Sequence, residues 1–161
     1  MSLLRLTVLL FIALLAGCGW QLRGAVAPAV DSLAINGGSL PLVNRLQDRL
    51  EDAGVAVYPE ASRELVISRE RWQTRVIAVD TLGRALEQEL RYTLRWQVST
   101  QKQQLTASRE MVVTRSYSIR PDNAGGASDE ARQTRELMVE DAARRLLRQL
   151  QAVDFAPQAT P

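Results

Sequence analysis

Between Leu86 and Val98 the chain alternates without a break. Even positions carry Leu86, Gln88, Leu90, Tyr92, Leu94, Trp96 and Val98, and odd positions carry Glu87, Glu89, Arg91, Thr93, Arg95 and Gln97. Successive side chains of a strand point to opposite faces, so the pattern predicts one buried and one wet face, as antiparallel sheets have. At thirteen residues the run is long against the usual strand of about 5–6, which predicts a sheet that projects further than a compact core requires. Leu65 to Val79 also alternates, but its phase changes. Leu65 and Ile67 share one parity, while Trp72, Val76 and Ala78 share the other, and a bulge or strong twist between them is the expected cause. Asp80-Thr81-Leu82-Gly83 supplies the intervening turn.

Leu105 to Ile119 alternates once more, with Arg109 and Arg115 interrupting the parity of Leu105, Met111, Val113, Tyr117 and Ile119. Ser99 to Gln104 reads as the hairpin loop before it, and Pro121 to Gly126 as the loop after it, with Gly125-Gly126 as a turn. Val30 to Asn36 predicts a short first strand closed by Asn36-Gly37-Gly38, and Val55 to Tyr58 a brief extended run stopped by Pro59.

Two segments carry the helical period instead. Leu42, Val43, Leu46, Leu50 and Ala53 recur at helical spacing, with Asn44, Arg45, Asp48, Arg49, Glu51 and Asp52 mostly opposite. Ser39 stands as N-cap, Pro41 in the first turn and Gly54 as the residue past the end. The second helix is expected to start from a Ser128 cap, with Asp129 and Glu130 complementing the dipole. Its apolar stripe is Met138, Val139, Ala142, Ala143, Leu146, Leu150 and Val153, with Arg144, Arg145 and Arg148 towards its C-terminus.

The order is strand, helix, three strands, helix. A right-handed crossover makes the first two strands parallel and lays the helix on one face, and the remaining strands form a meander. The expected fold class is therefore α+β: a four-stranded mixed sheet with two helices packed on one face (β-α-β-β-β-α). So few helices leave the other face of the sheet at least partly uncovered, suited to water or a wet partner surface.

Composition adds exclusions. With 161 residues, 46% hydrophobic and 24% charged, the chain has room for one domain with a real core. Net charge is +2, without the large single-sign field of a nucleic-acid binder. Histidine is absent and Cys18 is the one thiol, so the commonest general base and metal ligand are missing, as are internal disulfides and cysteine zinc sites. No metal and no cofactor are expected. Catalysis would need a carboxylate pair such as Asp122 with Asp129 or Glu136, which capping and solvation already explain. No nucleophile–base pattern is visible, and the chain reads as a non-enzyme.

Cys18 has a better use. Arg5 is the lone charge near the N-terminus, the apolar run Leu6 to Leu15 follows, and Leu15-Ala16-Gly17-Cys18 closes it. The run is well short of the ~20 residues of a membrane span, and it matches a secretory leader ending in a lipobox. The cysteine of a lipobox takes diacylglycerol on sulfur and becomes the acylated N-terminus after cleavage. One acyl chain binds membranes marginally, whereas several hold firmly. Gly19 follows, not an aspartate, which points to the outer membrane. The expected divisions are a removed leader at 1–17, a lipidated N-terminus and tether at 18–28, one α+β domain at 29–155 and a disordered tail at 156–161.

The run Gly17-Cys18-Gly19-Trp20-Gln21-Leu22-Arg23, the Arg115-Ser116-Tyr117 step and the element order resemble the LPS-assembly lipoprotein family, LptE. The resemblance covers most of the domain by pattern and only those short stretches by identity. It implies a lipid-anchored plug seated inside the outer-membrane β-barrel LptD, assisting delivery of lipopolysaccharide to the surface. It further implies lipopolysaccharide contact through basic residues of the sheet. By chemistry the nearest candidates are Arg75, Arg84, Arg91, Arg95, Arg109 and Arg115, because guanidinium groups bind phosphate through charge-assisted, often bidentate hydrogen bonds. The plainer reading pairs Arg91 and Arg95 with Glu87, Glu89 or cross-strand acids. An auxiliary lipoprotein of another envelope lipid-transport or peptidoglycan-linked machine would fit the same leader and domain.

Overall fold

A computed structural model describes residues 28–100, 103–120 and 124–155 of the chain. Cys18 and its flanking run, Asp122 and the 156–161 tail lie outside the described residues. In chain order the elements are β1 (Ser32–Gly37), α1 (Leu40–Asp52), β2 (Ala56–Val57), β3 (Arg63–Val79), β4 (Ala85–Thr100), β5 (Arg109–Ser118) and α2 (Ala124–Gln151). The fold is α+β, and the sheet has five strands in the order β2-β1-β3-β4-β5. The four-strand expectation is corrected by β2. Its two residues run parallel to β1, with the Ala56 N–H donating to the Asp31 carbonyl at 2.9 Å. Pro59 ends the run before it acquires the length that periodicity can register.

β1 and β3 are parallel, and β3, β4 and β5 form the antiparallel meander. The phase change in β3 is a bulge: register is lost between Ile67 and Arg69, leaving Ser68 unpaired. On the inner face this brings Leu65 opposite Val98, Ile67 opposite Trp96 and Trp72 opposite Tyr92. Leu94 and Tyr92 in turn face Met111 and Val113 of β5. Leu42, Leu46 and Leu50 of α1 and Met138, Ala142, Leu146 and Leu150 of α2 complete a single core on this face. Burying a leucine of this kind contributes about 2–3 kcal/mol relative to leaving it exposed.

α1 ends as its sequence predicts. Gly54 takes φ +83°, its N–H donates to the Glu51 carbonyl, and the Val55 N–H donates to the Leu50 carbonyl. These are the two bonds of a Schellman motif, and Val55 and Leu50 are both buried beneath it. At the end of β1, Gly37 (φ +78°) lies so close to β3 that a β-carbon there would sit 2.4 Å from the Ile67 carbonyl oxygen. A glycine is therefore required at this crossing.

Two boundaries shift. β5 begins at Arg109 rather than Leu105, because Leu105 and Thr106 both turn their N–H groups onto the Val98 carbonyl. α2 begins at Ala124, so Ser128 is inside the helix, and Gly125-Gly126 belong to its start rather than to a turn. Half-buried Ala127 and Ala131 carry the packing face upwards to buried Thr134. Tertiary contact thus outweighs the poor helix propensity of glycine, roughly 1 kcal/mol against alanine.

Candidate ligand-binding face of the sheet

The bulge at Ser68 decides which side chains share the uncovered face of the sheet. Beyond it the odd positions of β3 turn outward, so Arg69 lies opposite Arg95, Arg71 opposite Thr93, Gln73 opposite Arg91 and Arg75 opposite Glu89. Thr114 and Glu110 of β5 extend the rows beside Arg91 and Arg95. The central part is an open hollow of 440 Å³ whose charged lining is Arg69, Arg71, Arg75 and Arg91 against Glu89 and Glu110.

These arginines are held to different degrees. Arg75 donates to Glu89 at 2.8 Å and Arg95 to Glu110 at 3.2 Å. Both pairs are exposed and together add little to stability, but they orient two guanidinium groups along the face. Arg69, Arg71 and Arg91 are exposed and make no ion pair with a described carboxylate within 4.0 Å. Sequence reasoning found Arg91 but missed Arg69 and Arg71. The parity on either side of the bulge already placed both with Arg75, so the signal was present.

The other three candidates lie elsewhere. Arg84 closes the β3–β4 turn, donating to Asp80 through Nε at 2.7 Å while its N–H bonds the same carboxylate at 2.9 Å. These bonds hold the Asp80 carboxyl below the usual carboxylate value. Arg109 and Arg115 stand on the opposite, helix-covered face, paired across the strand with Trp96 and Leu90. The Arg109 guanidinium sits 5.6 Å from the centre of the Trp96 ring, a cation–π distance. The six candidates thus divide into a sheet-face group (Arg75, Arg91, Arg95), a turn residue and a pair beside α2.

Behind the open face, Glu70 organises the centre of the inner one. Its carboxylate accepts hydrogen bonds from the Ser39 N–H (2.6 Å), the Ser39 hydroxyl (2.7 Å) and the Tyr92 hydroxyl (2.7 Å). Ser39 is the N-cap residue of α1, but its hydroxyl makes no cap bond to the helix backbone. A carboxylate from the strand stands at the helix N-terminus instead, where the dipole favours negative charge. Tyr92 stacks on Trp72 with ring centroids 4.1 Å apart. Burial first, and then the bond to Glu70 and its charge, raise the Tyr92 phenol above its ordinary value.

Of the acids weighed for catalysis, Asp129 is bound by Arg132 at 2.6 Å. Among the described residues no group of three or more histidine, cysteine, aspartate or glutamate side chains is placed to hold a metal ion.

The domain therefore has two layers, with both helices on one side of a mixed sheet and an uncovered face rich in arginine on the other. Residues 28–150 match the model of the family LptE, lipopolysaccharide-assembly, and the chain belongs to that family. Three solved structures share the fold. A minor lipoprotein from Acinetobacter baumannii aligns with TM-score 0.68 at 19% identity, covering 81% of this chain and 97% of that one. The rare lipoprotein B from Shewanella oneidensis aligns with TM-score 0.67 at 20% identity, covering 75% and 94%. An uncharacterized lipoprotein B from Nitrosomonas europaea aligns with TM-score 0.66 at 21% identity, covering 83% and 91%. A search of curated proteins returned no significant match.

Proposed function

We propose that this protein is an outer-membrane lipoprotein, lipidated at Cys18 and retained on the periplasmic side. In this reading it seats inside an LptD-like β-barrel and assists assembly of lipopolysaccharide at the cell surface. The open sheet face carries the lipopolysaccharide contact, through Arg69, Arg71, Arg75, Arg91 and Arg95. Membership of the LptE family supports the assembly role. The observation that carries the assignment of the face is its hollow, where four arginines meet two carboxylates on an otherwise uncovered sheet. Phosphates of lipid A present the planar, bidentate acceptors that guanidinium groups fit. The polar rows suit the wet lumen of a barrel. Arg84 at the β3–β4 turn and Arg109 and Arg115 on the helix-covered side stand off this face.

In vivo photocrosslinking from positions 91 and 95 tests both halves of the reading. Adducts to a large β-barrel and to lipopolysaccharide are expected. Barrel adducts without lipopolysaccharide adducts would remove the ligand role. Depletion that leaves surface lipopolysaccharide unchanged would favour a different envelope machine.

A further inference from the structure

β1 leaves the sheet where β3 bulges. Its last pair is Gly37 with Ile67. Gly37 and Gly38, at φ +78° and +83°, then turn the chain away to Ser39 and α1. Beyond that point β3 runs on with β4 on one side only. Among the described residues no strand and no backbone hydrogen bond meets its other edge from Arg69 to Arg75. In a strand with a single neighbour, alternate N–H and C=O groups point away from that neighbour, a ready template for another strand.

The two sides of this edge differ. On the helix side Glu70 and Trp72 line an open groove of 1000 Å³, with Pro41 of α1 and Val139 of α2 among its walls and charges of both signs around it. Glu70 is already engaged by Ser39 and Tyr92, so the groove offers the apolar surfaces of Trp72, Pro41 and Val139. On the open side the exposed Arg69 and Arg71 stand along the edge, while Arg75 further on is matched by Glu89. An incoming strand would therefore set one row of side chains against apolar surface and the other beside unmatched positive charge.

We propose that the edge of β3 from Arg69 to Arg75 takes an extended polypeptide segment as an added strand, with apolar side chains towards the helices alternating with carboxylates beside Arg69 and Arg71. Main-chain hydrogen bonds supply the affinity of such pairing and the alternation its selectivity. A second copy fits worse, because edge-to-edge pairing brings two rows of arginines together, and like charges on neighbouring strands are destabilising. The stretches of this chain outside the described residues hold one carboxylate side chain, Asp122, directly after Pro121, and so lack the pattern. In the seating proposed above, a closed barrel wall has no free edge to give, so the segment is a loop or terminus that enters the lumen. Its acids would orient Arg69 and Arg71 along the sheet face as Glu89 orients Arg75. Pairing at this edge does not itself depend on that seating.

The test mixes the detergent-solubilised full chain with a synthetic peptide of alternating valine and glutamate and follows amide hydrogen exchange residue by residue. Alternate amides between Arg69 and Arg75 should slow several-fold, while those of β5, at the far edge of the sheet, keep their rates. Methylating one alternate set of peptide nitrogens should abolish the slowing, and methylating the other should leave it. A valine–lysine peptide should not bind, and Arg69→Glu/Arg71→Glu should reverse that preference, with its circular dichroism showing the fold intact. Absence of slowing, slowing that survives both methylations, equal slowing on β5 or equal binding of the lysine peptide overturns the proposal. Edge protection without peptide also overturns it: protection that rises with protein concentration assigns the edge to a second copy, and protection in the dilute chain assigns it to a segment of this one.

Discussion

Glu70 joins three elements through one carboxylate: the start of α1 at Ser39, β3 itself and β4 at Tyr92. Removing the acceptor leaves three partly buried donors unmatched, so Glu70→Ala is expected to cost about 2–3 kcal/mol, read from urea unfolding. Tyr92→Phe removes one donor and leaves the other two satisfied, for about 1 kcal/mol. The two variants also separate in alkali. The Tyr92 phenol is raised above its ordinary value of 10.0 in the folded protein, so folding favours the neutral form. That contribution is intact below about pH 10, the unfolded value, and is lost as pH climbs towards the raised folded value. Tyr92→Phe should therefore flatten the alkaline fall of the urea midpoint. An unchanged fall would show that Tyr92 does not titrate in linkage with folding.

At the scale of elements, the single residue Ser68 sets the facing of β3 from Arg69 to Val76, where the register shifts again. Its side chain makes only a 3.3 Å bond to the Arg95 carbonyl, so Ser68→Ala should change stability by less than about 0.5 kcal/mol. Deleting Ser68 is a different operation. It would restore alternation from Leu65 to Val76 and turn Arg69 and Arg71 into the core and Glu70 and Trp72 out of it. Loss of cooperative thermal unfolding is expected for the deletion alone; a deletion variant that melts like the parent would disprove the role given to the bulge. The phase change was legible because Leu65, Ile67, Trp72 and Val76 are large enough to mark the inner face, and it implied the outward set from Arg69 to Arg75. β2 was not legible as a strand: two residues give no period, and β1 supplies its hydrogen bonds. The start of α2 was hidden because its first turns are fixed by contacts of Ala127, Ala131 and Thr134, small side chains that leave no apolar stripe. Glu70 could not be assigned a role from sequence either, since its partners are 31 and 22 residues away.

At the scale of the molecule, the long strands form an arm. β1 pairs with β3 only from Glu64 to Ile67, so the rest of the β3–β4 hairpin projects without a strand beyond β3. Val76, Ile77, Val79, Leu82 and Leu86 are exposed along it, and Leu82 at the tip is 76% exposed. The tip is not a loose loop. Asp80 accepts from the N–H groups of Leu82 and Arg84, both at 2.9 Å, and from the Arg84 guanidinium, so a well-braced turn points an apolar side chain into solvent. Exposed apolar side chains grouped on a projecting element suit an interaction surface, and in the assembly proposed above the barrel wall is the partner expected for it. If so, stability and assembly part company here. Val79→Thr combined with Leu82→Asp should leave the unfolding free energy read from urea titration within about 0.5 kcal/mol of the parent, as surface substitutions do. The same variant should lose most of the barrel that copurifies with the parent from detergent extracts. A stable variant that still brings down the barrel in full would move the docking surface off the arm and leave the polar sheet face as the remaining candidate.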